Sequence, residues 1–536
     1  FVSRLLEEEG IFYYFDGEPD QSRVVLGNNK GAHEKLEGDP VLPFALPSGL
    51  YAEEHPEQVF ELGVKERVRP GSVALTDYDF EKPRKDLYST EAAEKHSHLE
   101  VFEFPGVYLK KARGRRLAKL RLEERQADRV EVEGRANSAR IVPGLTFELT
   151  SHPLPENDRE YLVTEVRQRG ATPQALEEDG ATGHEGHYSN DFVAIPADVA
   201  FRPQRRTPRP VVHGSQTAVV VGRPGDEIYT DEHGRVKVQF FWDRYGQHDA
   251  ESSCWIRCSH PWAGAGWGAL AIPRVGQEVV VDFLEGNPDR PLIVGRVYNG
   301  DVRPPQDLPG SSSNMSIRSQ SLGGSGGSNE ITMGDSGGAE GFYVHAQYDM
   351  TKVVENDHSV SVGNSETTSI GVDRTETVGS NESISIGASR VEDVAADENV
   401  SIGGNRSHSV GANDSLDVGS NHKVSVGSNQ SVQVGSNQSI NVGSMANEVV
   451  GLTKTTSVGA AYAVTVGAAM NVAVAGAALE EVGMIKKIIA GSSIEFVCGG
   501  SSITLESGGK ITLKGSEIAL EASGPVTVKG STIDLN

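Results

Sequence analysis

From residue 363 to residue 491 every eighth position is glycine at fifteen of seventeen sites, and this period limits the fold more than any other feature. The glycines are Gly363, Gly371, Gly379, Gly387, Gly403, Gly411, Gly419, Gly427, Gly435, Gly443, Gly451, Gly459, Gly467, Gly483 and Gly491, with Ala395 and Ala475 at the other two sites. The preceding residue is Val or Ile in sixteen cases, Ala490 being the exception. One well-preserved stretch reads Val424-Ser-Val-Gly-Ser-Asn-Gln-Ser-Val-Gln-Val-Gly435. A fixed internal period means that each repeat is one structural unit stacked on the next. The two apolar positions of an octad lie two residues apart, so in an extended strand they share a face. Glycine is expected to supply a backbone conformation closed to residues with a Cβ, and Ser-Asn a turn. Each octad then reads as a short strand ending in a corner.

Such a strand is too thin to stand alone. Burying its two valines gains roughly 1.5–3 kcal/mol each, whereas ordering eight backbone residues costs about 1–2 kcal/mol apiece. Three identical chains winding round one axis complete one another's hydrogen bonds and leave no open edge along the shaft. An intertwined, triple-stranded β-helix in a homotrimer is therefore expected over residues 351–536. A single-chain β-solenoid is the alternative. Calcium-binding nonapeptide repeats fit poorly, because the period is eight and Asp373, Asp393, Asp397, Asp414 and Asp417 keep no fixed phase. Beyond Gly491 the repeat loosens into pairs spaced 9, 8, 7, 8 and 7 residues apart: Ile494/Phe496, Ile503/Leu505, Ile511/Leu513, Ile518/Leu520, Val526/Val528 and Ile533/Leu535. Three chains ending together at Asn536 would expose a blunt apolar face with unpaired strand backbone, a surface suited to a cap.

Apolar residues make up 37% of the 536 and aromatics 6%, against 61 glycines, so bulky side chains cannot be what stabilises much of this chain. A net charge of −25 argues against electrostatic binding of nucleic acid or anionic membranes. Cys254, Cys258 and Cys498 are too few for a disulfide framework, which suits folding in a reducing compartment. Residues 460–479 have the length and apolarity of a membrane span. However, Val464, Val466, Gly467, Val472 and Val474 keep the repeat going, so the stretch reads as shaft. The sequence starts at Phe1 in mid-pattern, without Met, and a further N-terminal portion is expected before it.

Upstream of the repeat, all four tryptophans (Trp242, Trp255, Trp262 and Trp267) fall within 26 residues. Strand-like segments at 235–242, 253–259, 268–273 and 278–284 surround them, separated by turn signals, and a five- or six-stranded barrel is expected over 206–305. The proline-rich stretch 201–210 marks its leading boundary. A Gly/Ser-rich neck, 306–350, leads to the shaft. Residues 1–205 mix helix, at 2–9 and 112–126, with strands at 10–15 and through 130–166.

Several of these segments resemble one family closely. Phe1-Val-Ser-Arg-Leu-Leu-Glu-Glu-Glu-Gly-Ile-Phe-Tyr-Tyr-Phe15 is similar to a hallmark of VgrG, the spike protein of bacterial type VI secretion. So are Asp231-Glu-His-Gly-Arg-Val-Lys-Val-Gln-Phe-Phe-Trp-Asp243, Ser253-Cys-Trp-Ile-Arg257 and His260-Pro-Trp-Ala-Gly264. The strongest match runs from Gly266-Trp-Gly-Ala-Leu-Ala-Ile-Pro-Arg274 through Gly286 to Gly295-Arg-Val-Tyr-Asn299, and Gly341-Phe-Tyr-Val-His-Ala-Gln347 adds to it. The resemblance implies a mainly β chain: a phage-hub-like α+β domain over 1–205, an OB-fold barrel, then the trimeric β-helix. It also implies a hub seated on the hexameric Hcp tube and a PAAR-repeat protein at the C-terminal tip, with Val526, Val528, Ile533, Asp534, Leu535 and Asn536 as the contact. Effector and adaptor proteins would ride on the spike. It would wait in the bacterial cytoplasm, then be secreted by firing through a target membrane.

Enzymatic readings fare worse. A lysozyme-like insert needs two carboxylates on a rigid folded scaffold, and the neck is short and Gly/Ser-rich. His184 and His187 suggest a metal pair, but no third ligand is near in sequence, so a solvated loop is the better reading. Cys254 and Cys258 read as small core residues on one strand face, with no second pair to hold zinc. The run 323–328 lacks the Lys-Ser/Thr of a phosphate loop. Residues 211–305 hold nine Lys/Arg against twelve Asp/Glu, which leaves no basic groove for nucleic acid and casts the aromatics as core or interface. The expectation is a structural spike with no cofactor and no catalytic residue. A tail-fibre or adhesin-type β-helical trimer is the alternative.

Overall fold

The computed structural model describes residues 1–18, 21–46, 57–171 and 187–535, which fall into two units, Phe1–Gly371 and Val372–Asn536. The first begins with the helix Val2–Glu9, which stops at Gly10. That residue takes a left-handed φ of 69°, and Ile11 N–H donates back to the Leu6 carbonyl at 2.8 Å, closing the helix end. The antiparallel hairpin of Phe12–Glu18 with Gln21–Gly27 follows.

A six-stranded sheet carries the main core of this part. Its order is Val41–Pro43, Thr146–Thr150, Glu160–Ala171, His187–Pro196, Val130–Ala136 and Val59–Glu66, antiparallel except for the first pair. Alternate residues point inward, as the two-residue period of a strand requires. Phe147, Tyr161, Val163, Phe192 and Ala194 are all at most 1% exposed. Gly134 makes room for the Phe192 ring, because a Cβ there would lie 2.3 Å from its Cζ. A smaller sheet, Ser89–Ala92, Ser72–Leu75 and Glu100–Glu103, packs against the helix Lys111–Gln126 through Leu117, Ala118, Leu120 and Leu122. The helix also buries an ion pair, Arg121 with Glu124 at 3.2 Å. Arg205 reaches Glu124 at 3.2 Å and Glu103 at 2.7 Å, and Arg202 reaches Glu123 at 2.7 Å. The proline-rich 201–210 is thus pinned to the helix by charge-assisted bonds.

Residues 216–297 form a closed five-stranded barrel of order Lys237–Phe240, Gln216–Val221, Glu278–Phe283, Pro291–Val297, Arg257–Cys258. Reciprocal bonds between Val236 and Ile256, 3.0 and 2.8 Å, form one bridge that brings the two end strands together. Its interior is Ala218, Val220, Val236, Val238, Ile256, Val279, Val281 and Ile293. Two expectations change here. The segment at 268–273 adds no barrel strand; Gly268–Ala269 pairs only with Trp262–Ala263 in a two-residue hairpin. None of the tryptophans is core within the chain, since Trp242, Trp262 and Trp267 are 60–67% exposed and Trp255 is half-buried.

The neck is more than a linker. Asn314–Arg318, Glu330–Gly334 and Gly341–His345 form a three-stranded antiparallel meander. Its Gly/Ser content concentrates in the turns, where Gly323, Gly324, Gly326 and Gly338 all take positive φ. In the second unit, Ser493–Cys498, Ser501–Glu506 and Ile511–Lys514 fold into another such meander rather than continuing the octads. Ile494 faces Leu505, and Phe496 faces Ile503, so the apolar pairs pack across strands within one chain.

Candidate functional site

The octads are extended, bent at each glycine and the residue after it, and exposed along their whole length. Among the described residues, 348–491 make no backbone–backbone hydrogen bond within the chain. The valines and isoleucines just before the corners, such as Val418, Val426, Val434 and Val474, remain 41–52% exposed. The second apolar position is more open still, with Val432 at 67% and Ile440 at 78%. A chain that orders more than a hundred residues without pairing their amides or covering their valines has left both tasks to a partner.

The corner glycines carry a correction. None of Gly363 to Gly491 adopts the positive φ that was the expected reason for glycine. Nor does anything in the chain stand within 4 Å of a Cβ built at Gly379, Gly427 or Gly459, for example. Neither backbone conformation nor crowding within the chain requires glycine there.

At the far end Val526, Val528, Ile533 and Leu535 are 46–91% exposed, with Asp534 beside them. Residues 515–535 contain no strand of their own. Asn536 lies outside the described residues, as does His184 of the suggested metal pair. Among the described residues no three His, Cys, Asp or Glu side chains gather to hold a metal, and no helix is long and apolar enough to cross a membrane.

Cys254 is exposed rather than core, while Cys258 is half-buried on the barrel. Burial pushes the Cys258 thiol up to about 11. Thiolate being the reactive form, Cys258 should react with a disulfide reagent at pH 8 at least about tenfold more slowly than exposed Cys254 or Cys498. Timed labelling followed by peptide mass analysis reads this directly, and equal rates at the three positions would contradict it.

Asp77, a fully buried carboxylate, joins the helix-bearing part of the first unit to the barrel. Arg290 Nη2 lies 2.7 Å from both of its oxygens, and the N–H groups of Val107 and Tyr108 donate to it at 2.5 and 3.2 Å. Nothing in the sequence linked these residues, which stand 213 positions apart.

In sequence order the chain carries an OB-type barrel and then an unpaired, periodic shaft. Three family descriptions match in series. They are the phage tail baseplate hub over residues 1–174, the type VI secretion system/phage-baseplate injector OB domain over 218–298, and the bacteriophage T4 gp5 C-terminal trimerisation domain over 315–434. The type VI secretion system spike protein VgrG1a of Pseudomonas aeruginosa is 42% identical over 369 residues, which cover 68% of this chain and 57% of that protein. VgrG1c of the same organism is 41% identical over 377 residues, 69% of this chain and 51% of the relative. The chain belongs to the VgrG family. It spans about half the length of the curated relatives it matches.

Proposed function

We propose that this chain is one third of a homotrimeric type VI secretion spike that punctures a target envelope by shape and stiffness, without catalysis. The observation behind this reading is the shaft: period-eight valines half-open to solvent, unpaired amides, and corner glycines that nothing within the chain requires. Three copies winding together would pair the amides, cover the valines and abolish the edges. Stiffness then follows from closed inter-chain hydrogen bonding. The relatives' name, spike protein, favours the same role.

On this reading the hub sits on the Hcp tube, and the tip residues Val526, Val528, Ile533, Asp534, Leu535 and Asn536 accept a PAAR-repeat cap. Effector and adaptor proteins travel with the spike, which waits in the cytoplasm before firing. Deleting residues 526–536 should abolish PAAR-protein capture in a pull-down, to below about a tenth of the intact level, because the apolar end face is removed. The trimer should persist, since the octads are untouched. Undiminished capture by the shortened protein would remove the tip assignment.

A further inference from the structure

The column just before the corners, Val or Ile at every octad from 362 to 482, repeats so closely that its apolar contacts cannot distinguish one octad from the next. A chain slid by eight residues again places Val beside Val, and register is weakly specified wherever pairing partners are interchangeable. A second column of the repeat breaks this degeneracy. Five residues before successive corner sites stand Glu366, Arg374, Glu382, Arg390, Glu398, Arg406 and Asp414, and the sign of charge alternates at every octad. In the extended run before a corner, this position shares a face with the positions three and one before the corner. The ion pairs within the chain follow that geometry: Arg374 meets Glu376 at 2.6 Å and Arg390 meets Glu392 at 2.8 Å. Among the described residues, Glu382, Glu398 and Arg406 make no ion pair within their own chain, although each is one octad from an opposite charge.

We propose that this column is a register key between copies of the chain, each charge pairing with the opposite charge one octad on in a neighbouring chain. The proposal rests on the three-chain reading of the shaft. When three chains wind round a common axis, each moves to the next face at every level. A strand of one chain therefore stacks on the following octad of its neighbour, about 4.7–4.9 Å away. Equivalent columns then lie directly above one another, Arg374 over Glu382 and Glu382 over Arg390. Opposite charges so placed attract, and like charges repel. A slip of one octad puts Arg374 against Arg390 and Glu382 against Glu398 all along the column. The valine column tolerates that slip; the charge column opposes it. The key ends at His422, and Gln430, Gln438 and Ala446 follow it in the same column, so register set in the first half of the shaft is carried through its most uniform part.

The test uses the full chain with Ser383→Cys and Val391→Cys, equivalent positions of consecutive octads that stack only in the proposed register. A disulfide needs their Cα atoms within about 7 Å. At pH 8 and low salt this protein should cross-link into covalent trimers on a non-reducing gel. Adding R374E, R390E and R406E makes the column uniformly negative and should cut the cross-linked fraction at least about tenfold, with partial recovery in 1 M NaCl. Inverting all seven charges (E366R, R374E, E382R, R390E, E398R, R406E and D414R) restores alternation and should restore cross-linking. The inverted protein decides the matter even if the triple variant does not assemble. Normal cross-linking of the triple variant, or none in the inverted one, overturns the register key. A parent chain that sediments as a monomer overturns the three-chain reading itself, a separate outcome.

Discussion

Replacing Val426 and Val434 with aspartate will abolish the trimeric shaft while leaving the hub and barrel folded. Each valine sits at the position before a corner, on the face where the column of Val and Ile is unbroken from residue 362 to residue 482. Within one chain these side chains are 46% exposed, so the substitutions cost little in an isolated strand. In a trimer they remove six buried valines, roughly 9–18 kcal/mol of transfer free energy taken at 1.5–3 each. They also place six carboxylates on a face whose neighbouring column holds His422, Gln430 and Gln438, with no Lys or Arg to pair with them, which adds to the loss. Sedimentation should show monomer, and limited proteolysis should release an intact N-terminal fragment. The conservative change to isoleucine at both positions should leave a trimer, because Ile370, Ile386 and Ile402 already occupy the same column. A trimeric aspartate variant would mean that this face is not the inner one.

Asp77→Ala should destabilise the first unit by about 3–5 kcal/mol, the range found when one member of a buried ion pair is removed. The Asp77 side chain is 0% exposed and Arg290 only 23% exposed, so the guanidinium left behind is poorly placed to recover its partner from water. The change leaves Arg290 and the amides of Val107 and Tyr108 without their shared acceptor. A thermal melt followed by tryptophan fluorescence should register the loss, since all four tryptophans lie in the barrel segment. Asp77→Asn keeps an acceptor for the two amides and should cost less. Equal melting of the alanine variant and the parent would show that this contact does not hold the parts together.

What the sequence disclosed, and what it hid, divides along physical lines. The shaft was legible because its constraint is local and repeats seventeen times. The helix Val2–Glu9 was legible from its Leu-rich face and the glycine that stops it. The barrel was legible as strands and turns, but not its closure, which depends on Val236 meeting Ile256 twenty residues away. Composition misled at the neck, where Gly and Ser mark the turns of a folded meander. The spacing of apolar pairs misled after Gly491, where they were read as a loosened repeat although Gly499-Gly500 and Gly508-Gly509 mark hairpin turns. The reason assigned to the corner glycines was wrong, because none of them takes a positive φ. The Asp77–Arg290 tie had no signal in one sequence.

Every part of the functional reading depends on the octads being completed by other copies of the chain. Sedimentation equilibrium of the purified protein weighs that claim without any substitution. The account requires a single species of three times the 57.3 kDa of one chain. A stable, protease-resistant species with the mass of one chain would contradict it.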